Sequence, residues 1–493
     1  MPDHEGGVCP DVAIATVSSG VPGLDEVLGG GFPRNRITLV TGGPGTGKTT
    51  LGLQFLAEGA RHGERGLYLA LSETADELRA IADSYGICLD GIEVSEIIPA
   101  EEAESEAALF QPGEVGASES ATRIIESIEA ARPRRVVLDF VSALRLLFTD
   151  DLHFQQYLLR LKRLAQQGAT VLLMEVGIGD EYLRVFANGV VQLQQVSRDY
   201  GPTRRRLCVN KVRGAPHATG FHDFRIGPGG LTIFPRVKVL PGSIHRETLP
   251  LISTGFPEFD AMLGGGFRIG SNVLFLGASG TGKSALASEV AVAAALRGEP
   301  AVIFAIDEQA GNYFDRSRGL GIEIGRALDT GKLRLEQINA AESSPGEFVH
   351  KALDAAVRER ARVIVIDGIG EYMQAMRHEP TAALHMSDLL STLSEKRVVT
   401  ILPLIESGVV GSRVSAPVFM SYLCDTIILF RYFETEGLIS KCITVLKKRY
   451  GPHESGIHEL KLEPGRIRIG PLLHSLRGVM TGNPSSARQH ERE

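Results

Sequence analysis

The sequence has 493 residues, too many for one ordinary hydrophobic core, so we expect about two to four domains. Hydrophobic residues make up 43% and charged residues 23%, a balance typical of soluble globular proteins that excludes a chain dominated by disorder. The formal net charge of −7 argues against a general binder of nucleic acids or acidic membranes.

The cysteine pattern and the N-terminus favour a reducing compartment. The five cysteines lie far apart and none forms a C-x-x-C, so neither a zinc knuckle nor a disulfide framework is predicted. The first twenty residues lack a basic segment followed by an apolar run, so we predict no secretory signal. The most apolar helical stretch, Ala285–Leu296, is too short to span a bilayer. We therefore expect a cytoplasmic protein that does not bind membranes.

The chain consists of two related halves. Residues 18–32 read SSGVPGLDEVLGGGF and residues 253–267 read STGFPEFDAMLGGGF, with nine of fifteen positions identical. The alignment that pairs Ser18 with Ser253 also pairs Lys48 with Lys283, without a gap. One constant spacing across several short matches indicates a duplication. The predicted division is an N-terminal arm (1–15), a first repeat domain (16–238), a linker (239–252), a second repeat domain (253–482) and a disordered tail (483–493).

Within each half, predicted strands alternate with predicted helices. In chain order, the first half has apolar strands at Ile37–Val40, at 66–71, at Arg135–Asp139 and at Ala169–Met174, and the second half repeats them. Thr74 begins a helix, because Glu77 completes a capping box with it. This alternation predicts an α/β fold with a mostly parallel sheet and helices on both faces. The C-terminal part of each half reads as antiparallel hairpins, and the acidic stretch 101–106 reads as a loop.

Two glycine-rich segments predict phosphate-binding loops. GGPGTGKT (42–49) and GASGTGKS (277–284) both satisfy GxxxxGK[ST], and each follows an apolar strand and begins a helix. Backbone N–H groups in such a loop surround phosphate oxygens, and the lysine contacts the β- and γ-phosphates. A chance glycine-rich turn is the alternative, which two copies in the right context disfavour. The predicted ATP-binding residues are Gly42, Gly43, Pro44, Gly45, Thr46, Gly47, Lys48, Thr49 and Thr50, and Gly277, Ala278, Ser279, Gly280, Thr281, Gly282, Lys283, Ser284 and Ala285.

A magnesium site is predicted beside each loop. The hydroxyls of Thr49 and Ser284 are the expected Mg²⁺ ligands, because they occupy the last motif position. Asp139 and Asp367 end apolar strands and fit the second, acidic anchor. The alternative is that each aspartate caps a turn.

Hydrolysis also needs a carboxylate that orients or deprotonates water. Glu73 and the pair Asp307 and Glu308 follow the second strand of each half, and Glu73 aligns with Glu308 in the same gapless repeat. The alternative for Glu73 is a charge that complements the helix beginning at Thr74.

These features together resemble the circadian-clock ATPase KaiC family of RecA-like P-loop ATPases. The resemblance covers residues 16–482 and rests on the glycine-rich lead, the P-loops, the strand-end acids, a late K-x-R in each half, and the segments DTIILFRYFE (425–434) and MTGNP (480–484). It implies tandem RecA-like domains in a two-tiered homohexameric ring with ATP between subunits. It further implies that four cations reach a neighbour's ATP, namely Lys211, Arg213, Lys447 and Arg449.

The resemblance assigns catalytic roles to Lys48, Lys283, Arg213 and Arg449 beside the carboxylates already named. A basic hairpin in solvent is the alternative for the late cations. The adenine-side positions match Ser84 and Tyr85, but Gly319 and Leu320 replace them in the second half.

Two departures from the family pattern bear on activity. The family's acidic pair is Glu-Glu, whereas the first half has Ser72 before Glu73, so this half is expected to bind ATP mainly for structure if the first position is the base. The family's phosphorylated Ser-Thr pair corresponds to Ser421 and Tyr422. Ser421 is therefore a candidate phosphorylation site, and the alternative is that the two residues begin a strand. Timekeeping is not implied.

The sequence thus predicts a cytoplasmic hexameric ATPase that uses ATP and Mg²⁺ and signals through a protein partner, with a candidate serine autokinase activity in the second half. One alternative is a DNA-dependent ATPase of the recombinase or helicase type, which the run Arg204–Arg206 would support as a basic edge. No strong nucleic-acid binding is expected, because a stacking platform is not evident. Another alternative is a non-catalytic scaffold held together by ATP.

Overall fold

A computed structural model describes most of the chain. The described residues are 14–97, 114–146, 148, 150–177, 181–197, 201–238, 249–377, 379, 381–406, 418–435, 437–474, 476–477, 479 and 485–486. The chain divides into two compact units, Met1–Arg236 and Val237–Glu493. The acidic stretch 101–106 lies outside the described residues.

The first unit alternates strands and helices and ends in hairpins. Its strands are β1 (Thr16–Val17), β2 (Phe32–Pro33), β3 (Ile37–Gly42), β4 (Gly66–Ala70), β5 (Ile92–Glu96), β6 (Arg135–Asp139), β7 (Thr170–Val176), β8 (Gly189–Val196), β9 (Arg204–Val212), β10 (Phe221–Gly227) and β11 (Gly230–Phe234). Its helices are α1 (Leu24–Leu28), α2 (Lys48–Arg61), α3 (Ala75–Tyr85), α4 (Glu114–Ala131), α5 (Val141–Arg145), α6 (Asp151–Gln166) and α7 (Glu181–Phe186).

The second unit repeats this order. Its strands are β12 (Leu251–Ile252), β13 (Phe267–Arg268), β14 (Asn272–Gly277), β15 (Ala301–Ile306), β16 (Leu333–Ile338), β17 (Val363–Asp367), β18 (Val399–Ile405), β19 (Thr426–Thr435), β20 (Leu438–Lys448), β21 (His458–Glu463), β22 (Arg466–Leu472), β23 (Leu476–Arg477) and β24 (Ser485–Ser486). Its helices are α8 (Pro257–Met262), α9 (Lys283–Leu296), α10 (Ala310–Gly319), α11 (Ile324–Asp329), α12 (Pro345–Val357), α13 (Ile369–Ala375), α14 (Ala382–Glu395) and α15 (Val418–Leu423).

Each unit is built on a sheet of nine described strands. The order is β11-β10-β9-β8-β3-β7-β6-β4-β5 in the first unit and β16-β15-β17-β18-β14-β19-β20-β21-β22 in the second. The strands from β8 to β5 pair in parallel, as do those from β19 to β16, whereas the remaining three strands of each sheet add antiparallel pairings. The predicted class, two tandem domains with mostly parallel sheets and C-terminal antiparallel hairpins, is confirmed.

Both faces of each parallel sheet are covered, because the central strands are buried along nearly their whole length. In β4, Tyr68 and Ala70 pack in one hydrophobic cluster, whereas Leu67 and Leu69 pack in the cluster on the opposite face. This is the pattern expected when side chains alternate across a strand and helices cover both faces.

The repeated GGGF motif has a steric cause. Gly31 has a φ of 117°, and a Cβ there would lie 2.3 Å from the carbonyl oxygen of Val17. Gly266 has a φ of 120° and the same conflict, also at 2.3 Å, with the carbonyl oxygen of Ile252. Only glycine fits where the two short strands at the start of each unit meet, so the motif recurs for a structural reason.

The capping box predicted at Thr74 forms in the structure. Thr74 accepts a hydrogen bond from the backbone of Glu77, and the Glu77 side chain accepts one from the backbone of Thr74, so the capping box is present. Within the described residues, no helix is both long and apolar enough to cross a membrane. The four cysteines in the described part of the chain are free thiols.

Three local expectations need correction. Ser421 and Tyr422 do not begin a strand; they lie in α15, and the strand begins at Thr426. The run Arg204–Arg206 is not at an edge, because β9 pairs with β8 on one side and β10 on the other. Ser485–Ser486, within the expected disordered tail, pair with β23, while the rest of that tail lies outside the described residues.

The helix after each phosphate loop carries one polar residue whose chemistry differs between the units. In the first unit, Gln54 donates to the carbonyl oxygens of Gly229 and Leu231 and accepts from the Leu231 N–H, which joins α2 to the last hairpin. At the equivalent position of the repeat, α9 carries Glu289. Its buried Oε2 atom has no hydrogen-bond partner within the described structure. Burial, together with the charge of Glu323, raises the pKa of Glu289 to about 7.

We predict that Glu289→Gln stabilises the second unit above pH 7. The carboxyl binds its proton more tightly in the folded than in the unfolded chain, so stability falls as pH rises from about 4.5 to about 7. Because Glu289 is partly exposed, the loss of folding free energy caused by its ionisation should be about 1–2 kcal/mol, or a few degrees of unfolding temperature. Calorimetry of the full chain should show the gain at pH 8 and little gain at pH 5.

The matched control is Gln54→Glu, which should introduce the same pH-dependent loss into the first unit. An unchanged pH dependence of unfolding in Glu289→Gln would show that the carboxyl is not the source.

Candidate functional site

The phosphate loop of the first unit connects β3 to α2. Gly47 precedes the helix with a φ of 98°, a conformation that glycine adopts without strain. The Nζ atom of Lys48 donates to the carbonyl oxygens of Gly42 at 2.9 Å and Gly43 at 3.1 Å. Thr46 Oγ1 donates to the same Gly43 oxygen at 2.8 Å. The lysine is thus held over the loop, and the first turn of α2 presents backbone N–H groups beside it.

The loop of the second unit has the same contacts. Lys283 Nζ donates to the carbonyl oxygens of Gly277 at 2.8 Å and Ala278 at 2.6 Å. Thr281 Oγ1 donates to Ala278 at 2.8 Å. Gly282 precedes α9 with a φ of 104°. The two motifs therefore fold into equivalent cradles.

Both lysines are desolvated cations. Burial lowers the pKa of Lys48, and the charges of Asp139 and Glu175 oppose that change. Burial also lowers the pKa of Lys283 to about 8, against the opposing charge of Asp367. A poorly hydrated ammonium group near carbonyl oxygens gains most when an anion such as a polyphosphate replaces those weak partners.

Each loop hydroxyl is bonded to the strand-end aspartate of its own unit. Thr49 Oγ1 donates to Asp139 Oδ2 at 3.2 Å, and Ser284 Oγ donates to Asp367 Oδ1 at 2.7 Å. The other oxygen of Asp367 is buried and makes no hydrogen bond within the described residues. A hydroxyl, a carboxylate and an unbonded carboxylate oxygen are hard oxygen donors, so the residues present fit Mg²⁺.

The sequence did not indicate what else holds Asp139. The Tyr68 hydroxyl donates to its Oδ2 atom at 2.6 Å, from a strand that is otherwise apolar. The signal available was a tyrosine in a fully buried strand, since a buried phenol needs a hydrogen-bond partner. In the second unit the phenol near the aspartate is that of Tyr313, which lies on α10. Its hydroxyl lies 2.6 Å from Ser288 Oγ.

The carboxylates predicted for water activation lie close to these aspartates. Glu73 is half-buried and accepts a hydrogen bond from Ser72 at 2.7 Å. Burial raises its pKa, the Ser72 hydrogen bond opposes this, and the charge of Asp139 adds to it. Burial likewise raises the pKa of Glu308, with the nearby charge of Arg316 opposing.

Asp307 has a different environment from Glu308. Its backbone has a φ of 55°, in the left-handed region, and its Oδ1 atom accepts a hydrogen bond from the Ala340 N–H at 3.0 Å. This contact joins the ends of β15 and β16, and Asp307 also lines the cavity in front of the second loop.

A cavity of about 520 Å³ opens in front of the second loop. It is lined by loop residues, by the carboxylates and by one cation that sequence reasoning missed, Arg316. Arg316 Nη2 lies 2.9 Å from Glu308 Oε2 and 3.6 Å from Asp367 Oδ2. The sequence contained a signal for it. Arg316 shares the helical spacing of the apolar residues Tyr313 and Leu320, so a charged group falls on a face that is otherwise apolar. Glu371, at the start of α13, also lines the cavity and was not predicted.

The late cations bind backbone carbonyls of their own unit. Lys211 Nζ donates to Arg184 and Val185, and Arg213 donates to Val185 at 2.7 Å. These carbonyls belong to the C-terminal half of α7.

The second unit repeats that arrangement at α15. Lys447 Nζ donates to the carbonyl oxygens of Ser421 at 3.0 Å and Cys424 at 2.9 Å, and Arg449 donates to that of Tyr422 at 2.8 Å. Arg449 also lies 3.5 Å from Asp425. Within the described structure, neither Lys447 nor Arg449 lines the cavity of its own unit.

The remaining predicted positions lie apart from the carboxylates. Ser84 is exposed near the end of α3, and its hydroxyl donates to the carbonyl of Ile81. The Tyr85 carbonyl accepts from Gly229 in the last hairpin of the unit. On β9, Arg206 donates to Gln194 and covers the ring of an adjacent phenylalanine, so part of the arginine run is engaged within the sheet.

Comparison with known proteins agrees with this geometry. A family model described as the ATPase KaiC matches residues 17–238 and again residues 252–474. The chain is 24% identical to circadian clock protein KaiC3 of Synechocystis sp. over 493 residues, covering 97% of this chain and 96% of that protein. It is 26% identical to circadian clock oscillator protein KaiC of Parathermosynechococcus lividus, covering 95% of this chain and 87% of that protein. It is also 27% identical to circadian clock protein KaiC2 of Synechocystis sp., covering 90% and 79% respectively.

Proposed function

The chain belongs to the KaiC ATPase family, and we propose that it hydrolyses ATP at two unequal sites, with most turnover at the second. The observation that carries this proposal is the constellation around the second loop. A buried lysine, a serine–aspartate pair and a carboxylate with a raised pKa converge there on one cavity. Those are the parts that phosphoryl transfer to water requires.

At the second site the roles divide among four residues. Lys283 binds the β- and γ-phosphates, and Ser284 and Asp367 hold Mg²⁺. When bound, Mg²⁺ neutralises charge on the transferring phosphoryl group. Glu308 orients the water and accepts its proton, because burial makes its carboxylate a stronger base. The water oxygen bonds to the γ-phosphorus as the bond to the β–γ bridging oxygen breaks, and ADP leaves with that electron pair.

The first site is proposed to bind ATP mainly for assembly. At the position before Glu73 it has Ser72, where the second unit has the acidic Asp307, so its acidic pair is incomplete. Its aspartate, Asp139, receives hydrogen bonds from Tyr68 and Thr49. The site retains a phosphate cradle and a hydroxyl–carboxylate pair for the metal, but only one member of the acidic pair.

We further propose a two-tiered homohexamer in which ATP lies between subunits. Support comes from family membership and from the late cations of the second unit, which lie outside that unit's cavity. Arg213 and Arg449 would then complete the neighbour's site by stabilising charge on the transferring group.

The proposed output is signalling through a protein partner. Ser421 is the proposed phosphate acceptor of an autokinase activity, although its neighbour Tyr422, which is 70% exposed, differs from the family's threonine. Several relatives are named as clock proteins, but this departure leads us to propose no timekeeping role.

We predict that the two loop lysines have separable effects. Lys283→Ala should chiefly reduce turnover, because the second site keeps both members of the acidic pair, whereas Lys48→Ala should chiefly impair assembly. Phosphate release and sizing chromatography on the full chain measure the two effects. Equal loss of turnover with intact rings in both variants would contradict the division, and intact turnover in both would contradict the ATPase proposal itself.

Single-stranded DNA should stimulate ATP hydrolysis by less than about twofold at physiological salt. The net charge is −7, and the arginine run lies inside its sheet rather than at an edge, so we expect only weak electrostatic attraction of phosphates. Phosphate release is compared with and without DNA at low and physiological salt. Saturable stimulation that resists salt would instead favour the DNA-dependent alternative.

Arg449 is expected to act on ATP bound by the adjacent subunit. Arginine fingers supplied in trans contribute roughly 10³–10⁵-fold in rate, so Arg449→Ala should lose most turnover. The decisive experiment mixes Arg449→Ala subunits with Lys283→Ala subunits, because each inactive parent keeps one intact half-site. Activity should recover on mixing. No recovery, with co-assembly verified, would assign Arg449 to its own unit or to a structural role.

A further inference from the structure

One cation distinguishes the second phosphate site from the first. Arg316 lines the cavity and contacts both Glu308 and Asp367. At the equivalent position of the repeat, the first unit has Ile81, which packs against its core. The alignment is secure here, because Gly86 and Gly321 end the two stretches with φ values of 69° and 73°. The duplication therefore provides one site with this arginine and one without it.

Packing holds the guanidinium in place. It lies over the ring of Tyr313 at 4.5 Å, and the Tyr313 hydroxyl is fixed by Ser288. The buried Nε atom of Arg316 has no hydrogen-bond partner among the described residues. A planar group stacked on a fixed ring keeps its charge in one place at little cost in side-chain entropy.

The position of this charge matters because the cavity is otherwise rich in carboxylates. Asp307, Glu308, Asp367 and Glu371 all line it, and Lys283 is the other cation in its lining. Without Arg316, the unbonded Asp367 oxygen and Glu308 would repel each other, with Lys283 as the remaining cation of the lining. Such a cluster would attract a bare divalent cation.

We propose that Arg316 is a positioning residue that compensates Glu308 and Asp367 in the nucleotide-free second site and keeps bare divalent cations weakly bound there. The metal is then taken up together with ATP, whose phosphates supply the negative charge that outweighs the repulsion by Arg316. The first site lacks this control, since a neutral phenol holds its aspartate. The inference rests on the proposed ATP site of the second unit and specifies how that site orders its ligands.

The test measures Mn²⁺ binding to the nucleotide-free full chain by electron paramagnetic resonance, with Mn²⁺ as the probe for the magnesium position. Arg316→Ile, which introduces the residue of the first unit, should bind Mn²⁺ about tenfold more tightly at one site per chain, because one opposing charge is removed. Arg316→Gln, closer in shape, should do the same if the isoleucine variant folds poorly. Arg316→Lys should stay near the wild type.

Arg318→Ile is the matched control, because it removes the same charge from an exposed position of the same helix. It should leave Mn²⁺ affinity unchanged. Unchanged Mn²⁺ affinity in both neutral Arg316 variants, or equal tightening in Arg318→Ile, would overturn the proposal. A lower unfolding temperature without tighter Mn²⁺ binding would likewise show that Arg316 only packs.

A separate titration shows whether a negative result concerns only the role of Arg316 or the proposed ATP site as a whole. Binding of a fluorescent ATP analogue without divalent cation is compared between the wild type and Lys283→Ala. Loss of one binding site in Lys283→Ala establishes the second site independently of Arg316. If that variant binds as the wild type does, the proposed ATP site is wrong and the role of Arg316 falls with it.

Discussion

The contact between a loop hydroxyl and a strand-end aspartate depends on parallel strand pairing, and the rest of each site is arranged around it. Parallel strands bring their carboxyl ends to one edge, where the loops that follow them meet. The loop after β14 therefore reaches the end of β17 although β18 lies between them. Ser284 then bonds to Asp367 across that gap, and the helix that follows the loop is fixed against the sheet.

The duplication kept this framework and changed its electrostatics. In the first unit, neutral groups satisfy the polar atoms: Tyr68 bonds to Asp139 and Gln54 bonds to the last hairpin. In the second unit, charged groups occupy the equivalent environments, with Arg316 beside Asp367 and Glu289 facing inward. Neutral partners give a site whose polar atoms are satisfied at rest. Charged partners leave an environment whose electrostatics change more when a charged ligand enters.

The framework of each site could be predicted from the sequence because the signals for it are local. The GxxxxGK[ST] motifs, the capping box at Thr74 and the alternating apolar strands each depend on neighbours within a few residues, and the structure has all of them. Arg316 and Tyr68 were missed because their partners are brought close only by the rotation of a helix or the order of strands. The hydrogen bond from the Ala340 N–H to Asp307 was missed for the same reason, because no linear spacing encodes it. The α15 helix was missed because Ser421 and Tyr422 adjoin a strongly strand-forming run.

The late cations show how one local arrangement links two proposed activities. Lysine and arginine satisfy carbonyls at the C-terminal end of a short helix, where unpaired carbonyl oxygens carry partial negative charge. In the second unit Lys447 is bonded to the carbonyl of Ser421, the proposed phosphate acceptor, and Arg449 is bonded to that of the adjacent Tyr422. Any shift of Arg449 toward a phosphate would break its bond to Tyr422 and loosen α15. Hydrolysis and phosphorylation would then share one mobile element, whereas in the first unit the same bonds hold α7, where Arg184 and Val185 offer no hydroxyl.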